Sequence, residues 1–236
     1  MVKRVLNIAH RGFTRVFPDN TLEALDAAIG LGVDGVEFDV RETSDHNFVL
    51  FHDPKLHGTE IKALTLEQIQ SVRLKRKYKI PTLEEALHLC SKRTALFVEL
   101  KEVASFQQLV TLLRSVVPLS HIMVLSFSRA LLAELLYLAP EIPRAALVVS
   151  PGKEPLAVME SVQADAIVVR YPFASREVVD AVHMVGRAVF VWGLPSPRCI
   201  GRVVSAGVDG VITDFPDVVK KKLGGSAMPA TDCGQT

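Results

Sequence analysis

Eight short apolar runs alternate with segments of helical periodicity, and this alternation constrains the fold more than any other feature of the chain. Strands are expected near residues 5–9, 36–40, 95–100, 122–126, 145–149, 166–169, 188–192 and 210–213. Helical spacing of apolar residues is clearest at 20–31, 106–116, 129–139 and 176–185. Eight strand–helix units in 236 residues fit an α/β chain folded as a (β/α)8 TIM barrel, whose active site lies where the strands end. A doubly wound open sheet is the main rival, because alternation alone does not prove closure.

The stretch from about 42 to 80 is irregular and reads as a small insertion after the second strand. Asp45-His46-Asn47 looks like a hairpin turn leading to Phe51-His52-Asp53-Pro54. A charged helix at 66–72 follows, and then the basic run Arg73-Leu74-Lys75-Arg76-Lys77-Tyr78-Lys79. Such a run could steer an anion, but a solvated helix end or loop is the preferred reading. Residues 1–222 are taken as one domain, and 223–236, small and polar, as a disordered tail.

An internal echo supports the repeat. Gly32-Val33-Asp34-Gly35-Val36 returns as Gly207-Val208-Asp209-Gly210-Val211 and, more loosely, as Gln163-Ala164-Asp165-Ala166-Ile167. In each copy a helix stops and a strand begins after an acidic residue, so Asp34 and Asp209 read as turn-formers and not as ligands. The later strand continues Ile212-Thr213-Asp214 where the earlier has Glu37-Phe38-Asp39. The scaffold does not require a carboxylate at 37; chemistry can.

Composition narrows the function classes. A formal net charge of +1 offers no basic footprint, so nucleic acid is not expected as a partner. No apolar run reaches the length of a membrane span, because Glu134 and Arg114 interrupt the longest ones. The N-terminus runs into a strand without a signal-like apolar region. Cys90, Cys199 and Cys233 lack metal-site spacing, so free thiols and a cytoplasmic location are expected. Oligomeric state stays open.

Charged residues at the strand ends carry the chemistry. Alternate strand residues share a face, which pairs Glu37 with Asp39 and Glu99 with Lys101. If both faces point into a barrel mouth, three carboxylates converge, a donor set for Mg2+ or Ca2+ more than for zinc. The competing reading is ion pairing of Glu37 with Arg41 and of Glu99 with Lys101. His10 and His52 end strand-like runs and can move protons near neutral pH. Arg11 can clamp a phosphate, and Gly12 allows close backbone approach. The remaining histidines (His46, His57, His88, His121 and His183) read as structural. Asn20, three residues before Glu23, reads first as a helix N-cap. Trp192 can wall a pocket or fill the core, and Asp214 can serve a site or a capping turn. The whole set describes most of a metal-assisted phosphoesterase.

His10-Arg11-Gly12, Pro18-x-Asn20-Thr21, Glu37-x-Asp39, His52-Asp53, Pro81-Thr82-Leu83, Glu99-x-Lys101, Trp192 and Asp209-Gly210-Val211-Ile212-Thr213-Asp214 together resemble the glycerophosphodiester phosphodiesterase family. The match runs from His10 to about Asp217. The resemblance implies a TIM barrel that hydrolyses glycerophosphodiesters, such as glycerophosphocholine, to glycerol 3-phosphate and an alcohol. By position it implies Glu37, Asp39 and Glu99 as ligands of Mg2+ or Ca2+, and His10 and His52 as general acid and base. It implies Arg11 and Lys101 on the phosphate and Trp192 beside the glycerol. Asp19 stands where the family usually has Glu, and Leu56-His57-Gly58-Thr59 replaces the usual Arg-Thr-Thr segment. Two alternatives accompany this reading: a lysophospholipase D or cyclising lyase on acyl-bearing substrates, and a binding barrel without turnover.

Overall fold

In the computed structural model, which describes residues 4–116, 118–152 and 154–224, the first strands are β1 (Leu6–His10), β2 (Gly35–Glu42), β3 (Phe48–Leu50), β4 (Lys55–Leu56) and β5 (Thr59–Glu60). They are followed by β6 (Ala95–Glu102), β7 (Ile122–Ser126), β8 (Arg144–Val148), β9 (Ala166–Arg170), β10 (Ala188–Trp192) and β11 (Gly210–Thr213). The α-helices are α1 (Leu22–Gly30), α2 (Leu66–Ser71), α3 (Leu83–Cys90), α4 (Phe106–Val116) and α5 (Arg129–Leu138). After them come α6 (Pro155–Glu160), α7 (Arg176–Met184), α8 (Ile200–Ala206) and α9 (Pro216–Gly224).

β1 pairs in parallel with both β11 and β2, which closes the sheet and decides against the open rival. The barrel is therefore β1, β2 and β6 through β11, a (β/α)8 TIM barrel. β3 runs antiparallel to β2 through Val40↔Leu50 and Glu42↔Phe48, giving the expected hairpin. β3, β4, β5 and α2 make up the insertion, which buries its own small core of Val49, Leu56, Ile61, Ile69 and Ile80.

The two-residue strand period sorts side chains inside and out. Outward residues such as Val36, Phe38, Val98 and Leu100 pack with Leu25, Leu83, Leu87 and Leu109 of the helices. Inward residues Ile8, Phe97, Leu125, Leu147, Val168, Phe190 and Ile212 fill the barrel. Phe97 and Phe190 meet edge to face, with ring centroids 5.3 Å apart. Glycine at two inward positions makes room for them. A Cβ on Gly210 would lie 2.8 Å from the Phe190 ring, and one on Gly35 would lie 3.0 Å from the Phe97 ring.

The acidic residues of the sequence echo have one structural role in common. Asp34 accepts from Asn7 N, Asp165 from Arg144 N and Asp209 from Val189 N, each bond tying the start of one strand to its neighbour. They are strand-entrance caps, well away from the strands' C-terminal ends.

Two expectations change. Thr21, not Asn20, caps α1, accepting from Ala24 N at 3.2 Å. Cys90 is a buried free thiol, pushed up to about 12 by burial, but Cys199 is not free. Cys233 and most of the expected tail lie outside the described residues, and α9 extends to Gly224.

Candidate active site

The inward face of β2 delivers Glu37 and Asp39, and that of β6 delivers Glu99 and Lys101. Register sets them side by side: His10 is level with Glu37, and Asp39 with Glu99. Oxygen atoms of Glu37, Asp39 and Glu99 lie within 4.8 Å of one another, and all three residues are buried. Such a concentration of negative charge requires compensation. Lys101 Nζ supplies part of it, 2.5 Å from Glu99 and 3.1 Å from Asp39. Arg11 Nε adds a contact of 3.0 Å to Asp39.

The compensation is uneven. Burial alone would raise the Asp39 carboxyl, but Lys101, Arg11 and Asn20 hold it below the usual range. Burial, reinforced by the Asp39 charge, pushes Glu37 up to about 8. Glu37 Oε1 is buried with no hydrogen-bond partner among the described residues. Among the described residues Glu37 Oε2 accepts only the Arg11 N–H at 3.0 Å, with His10 Nε2 at 3.9 Å. Arg41, the partner considered for Glu37, instead donates to the His52 carbonyl and pairs with Glu102. An unpartnered buried carboxylate oxygen in an all-oxygen donor set fits a hard divalent cation. Glu37, Asp39 and Glu99 are the residues that could hold it.

Asn20 is the residue whose role the sequence concealed. Its Nδ2 donates to Asp39 Oδ2 at 2.8 Å, and its Oδ1 accepts from Asp39 N at 3.0 Å. Asn20 and Arg11 both have positive φ, 57° and 54°, in the loop between β1 and α1. Non-glycine residues are held there only where surrounding contacts over-determine the backbone. That twist points the Arg11 N–H at Glu37 while its guanidinium reaches Asp39 and Asp19. Gly12 continues the loop at φ +86°, where a Cβ would lie 2.5 Å from the Ala24 backbone of α1.

The two histidines share a device. His10 Nδ1 lies 2.7 Å from Asp214 Oδ1, and His52 Nδ1 lies 2.8 Å from Asp53 Oδ1. A carboxylate only accepts, so each Nδ1 carries the proton in the bond and Nε2 is left for other work. Burial works against a charged His10, but Asp214 and Glu37 outweigh it and raise its pKa. The Phe51 N–H on the Asp39 carbonyl and the Arg41 contacts fasten the His52 segment to the end of β2. His10, His52, the three acids, Arg11 and Lys101 are thus gathered at one rim. Trp192 stands further round, donating from Nε1 to the Val148 carbonyl at 3.0 Å and packing edge-on to Phe127 at 5.6 Å. It ends β10 and packs, partly buried, on the interior layer.

Residues 10–218 match the glycerophosphoryl diester phosphodiesterase family. A glycerophosphodiester phosphodiesterase from Bacillus altitudinis is 28% identical over 230 residues, covering 89% of this chain and 94% of that one. One from Caldanaerobacter subterraneus is 28% identical over 234 residues, covering 92% and 96%. The crystal structure of a Thermotoga maritima glycerophosphodiester phosphodiesterase superposes with a TM-score of 0.78 at 27% identity, over 92% of this chain and 98% of that one. An Oleispira antarctica phosphodiesterase in complex with sn-glycerol-3-phosphate shares the fold with a TM-score of 0.87 at 24% identity, over 94% and 98%. The family match spans residues 10–218 and the barrel agrees with it, so the chain belongs to the glycerophosphoryl diester phosphodiesterase family.

Proposed function

We propose that this chain is a divalent-cation-dependent enzyme that hydrolyses glycerophosphodiesters to glycerol 3-phosphate and an alcohol. The observation that carries this reading is the buried Glu37–Asp39–Glu99 cluster with an unpartnered oxygen, set between two cationic side chains and an imidazole held by a carboxylate. Glu37, Asp39 and Glu99 would hold Mg2+ or Ca2+, which when bound neutralises charge developing on the phosphoryl oxygens.

The chain's own residues do the rest. Arg11 and Lys101 bind the phosphate and orient it, and Trp192 borders the glycerol. One of His10 and His52 takes the proton from the attacking hydroxyl; the other returns one to the alcohol as its bond to phosphorus breaks. Asp214 and Asp53 hold the rings so that Nε2 is the atom that exchanges protons. The attacking oxygen belongs to water or to the neighbouring glycerol hydroxyl, whose cyclic phosphate water then opens.

The test is glycerol 3-phosphate release from glycerophosphocholine after chelation and again after Mg2+ or Ca2+ is restored. Release that returns with the cation is expected; tight substrate binding with no product would favour a barrel without turnover. A second reading, on acyl-bearing substrates, has its own observation. Phe127, Val149 and Phe173, at or just beyond the ends of β7, β8 and β9, are 46%, 46% and 45% exposed. Phosphorus NMR of products from a lysophospholipid separates hydrolysis, cyclisation and no reaction.

A further inference from the structure

The basic run of the insertion plays no part in the chemistry above, and its structure is not that of a helix end. α2 stops at Ser71, and the run folds into a tight hairpin closed by the Leu74↔Tyr78 bridge. Leu74 N donates to the Tyr78 carbonyl at 2.8 Å, and Tyr78 N to the Leu74 carbonyl at 2.9 Å. Lys75 and Arg76 form the tip at φ 46° and 61°, a conformation that costs energy for two adjacent side-chain-bearing residues. Arg73, Lys75, Arg76, Lys77 and Lys79 are all exposed, and none pairs with a carboxylate among the described residues. Arg73 is tied to the backbone carbonyls of Gln70 and Val72, and Lys77 lies over the Tyr78 ring. Like charges are thus concentrated on a defined projection in a chain whose net charge is only +1.

The hairpin's position gives that charge a direction. Tyr78 packs edge-on to Phe17, with ring centroids 6.2 Å apart. Phe17 belongs to the loop after β1 that also carries Arg11 and Asp19, so the hairpin hangs on the mouth side of the barrel. Beside Phe17, Val16 is 58% exposed, and Phe127, Val149 and Phe173 are exposed elsewhere on the same rim. We infer that the mouth face docks on an anionic phospholipid surface, with the 73–79 hairpin meeting the head groups and the exposed apolar side chains entering the interface. Clustered cations near a negatively charged leaflet attract it within a Debye length, and apolar side chains add burial. A nucleic acid suits the surface less well, because its backbone needs an extended basic track, which this nearly neutral molecule lacks.

Co-flotation with vesicles tests the inference, and turnover is not needed for the readout. The wild-type protein should float with equimolar phosphatidylglycerol and phosphatidylcholine at low salt, should stay behind with phosphatidylcholine alone, and should be released as salt rises. The triple variant Lys75→Glu, Arg76→Glu, Lys77→Glu, which reverses three charges, should lose well over about a hundredfold in partitioning, with hydrolysis of soluble glycerophosphocholine within about twofold of wild type. Lys75→Gln, Arg76→Gln, Lys77→Gln, which keeps the side-chain polarity without reversing charge, should fall between. Equal flotation with neutral and anionic vesicles, or no loss in either variant, overturns the inference. So does binding of an RNA oligonucleotide without binding of vesicles, which would assign the hairpin to nucleic acid. If glycerophosphocholine is not hydrolysed at all, vesicle flotation still decides the docking question by itself.

Discussion

Asp39 is completely buried, yet Asn20, Arg11 and Lys101 all direct donors or charge at it, whereas Glu37 two residues away keeps an oxygen, Oε1, with neither hydrogen bond nor ion pair among the described residues. Their unequal satisfaction separates the roles that these side chains can play. Glu37→Gln is expected to weaken divalent-cation binding in calorimetric titration, because it removes a charge that no other group replaces. Asn20→Ala, which removes a partner of the proposed ligand Asp39 and not a ligand itself, is expected to cost about tenfold to a hundredfold in cation affinity or activity. His10→Ala should abolish turnover while the cation still binds, and normal turnover in that variant would sink the acid–base assignment. Glu37, Asp39 and Glu99 were legible in the sequence because charge interrupts buried strands at alternate positions. Asn20 was not. A polar residue three positions before Glu23 satisfies the local pattern of a helix start, and only contact with a strand nineteen residues away reveals otherwise.

At the scale of elements, the end of β2 is fixed to the start of α4 by Glu42. Its carboxylate accepts from Ala104 N at 2.5 Å, Ser105 N at 2.8 Å and Ser105 Oγ at 2.6 Å, and His46 Nδ1 lies 2.7 Å away. Burial opposes ionisation, but Ser105, His46 and the backbone donors hold this carboxyl down at about 2, from an ordinary value of 4.5. Because the folded-state value is depressed, the stabilisation is present above about 4.5 and is lost as pH falls toward about 2. Glu42→Gln sets an amide NH2 against other donors and is expected to cost about 1–3 kcal/mol at pH 7. Denaturant unfolding of both proteins should show the difference shrinking on acidification from pH 4.5 to 2; a constant difference would detach it from this carboxylate. The turn at Asp45-His46-Asn47 was readable from local chemistry. The lock between Glu42 and Ser105 was not, because sixty-three residues separate its halves.

Across the molecule, closure of the barrel brings β1 against β11 and so carries Asp214 to His10, a pair 204 residues apart in sequence. A cation bound among Glu37, Asp39 and Glu99 joins strands β2 and β6 and exists as a site only in the folded chain. Its binding therefore adds to folding stability. At a cation concentration a hundredfold above Kd the gain is about 2.7 kcal/mol, or roughly 5–10 °C in Tm for a domain of this size. Differential scanning calorimetry with chelator and with restored cation checks this, and an unchanged Tm would argue against the ligand set. The succession and approximate spans of the eight barrel strands and the sidedness of the acids on β2 and β6 follow from the sequence alone. They depend on residue type and on a two-residue period, both local properties. Which acid lacks a partner, what holds each histidine, what Asn20 touches and where the basic hairpin points were decided by tertiary structure. Those facts depend on strand register and barrel closure, which join residues that no local pattern relates.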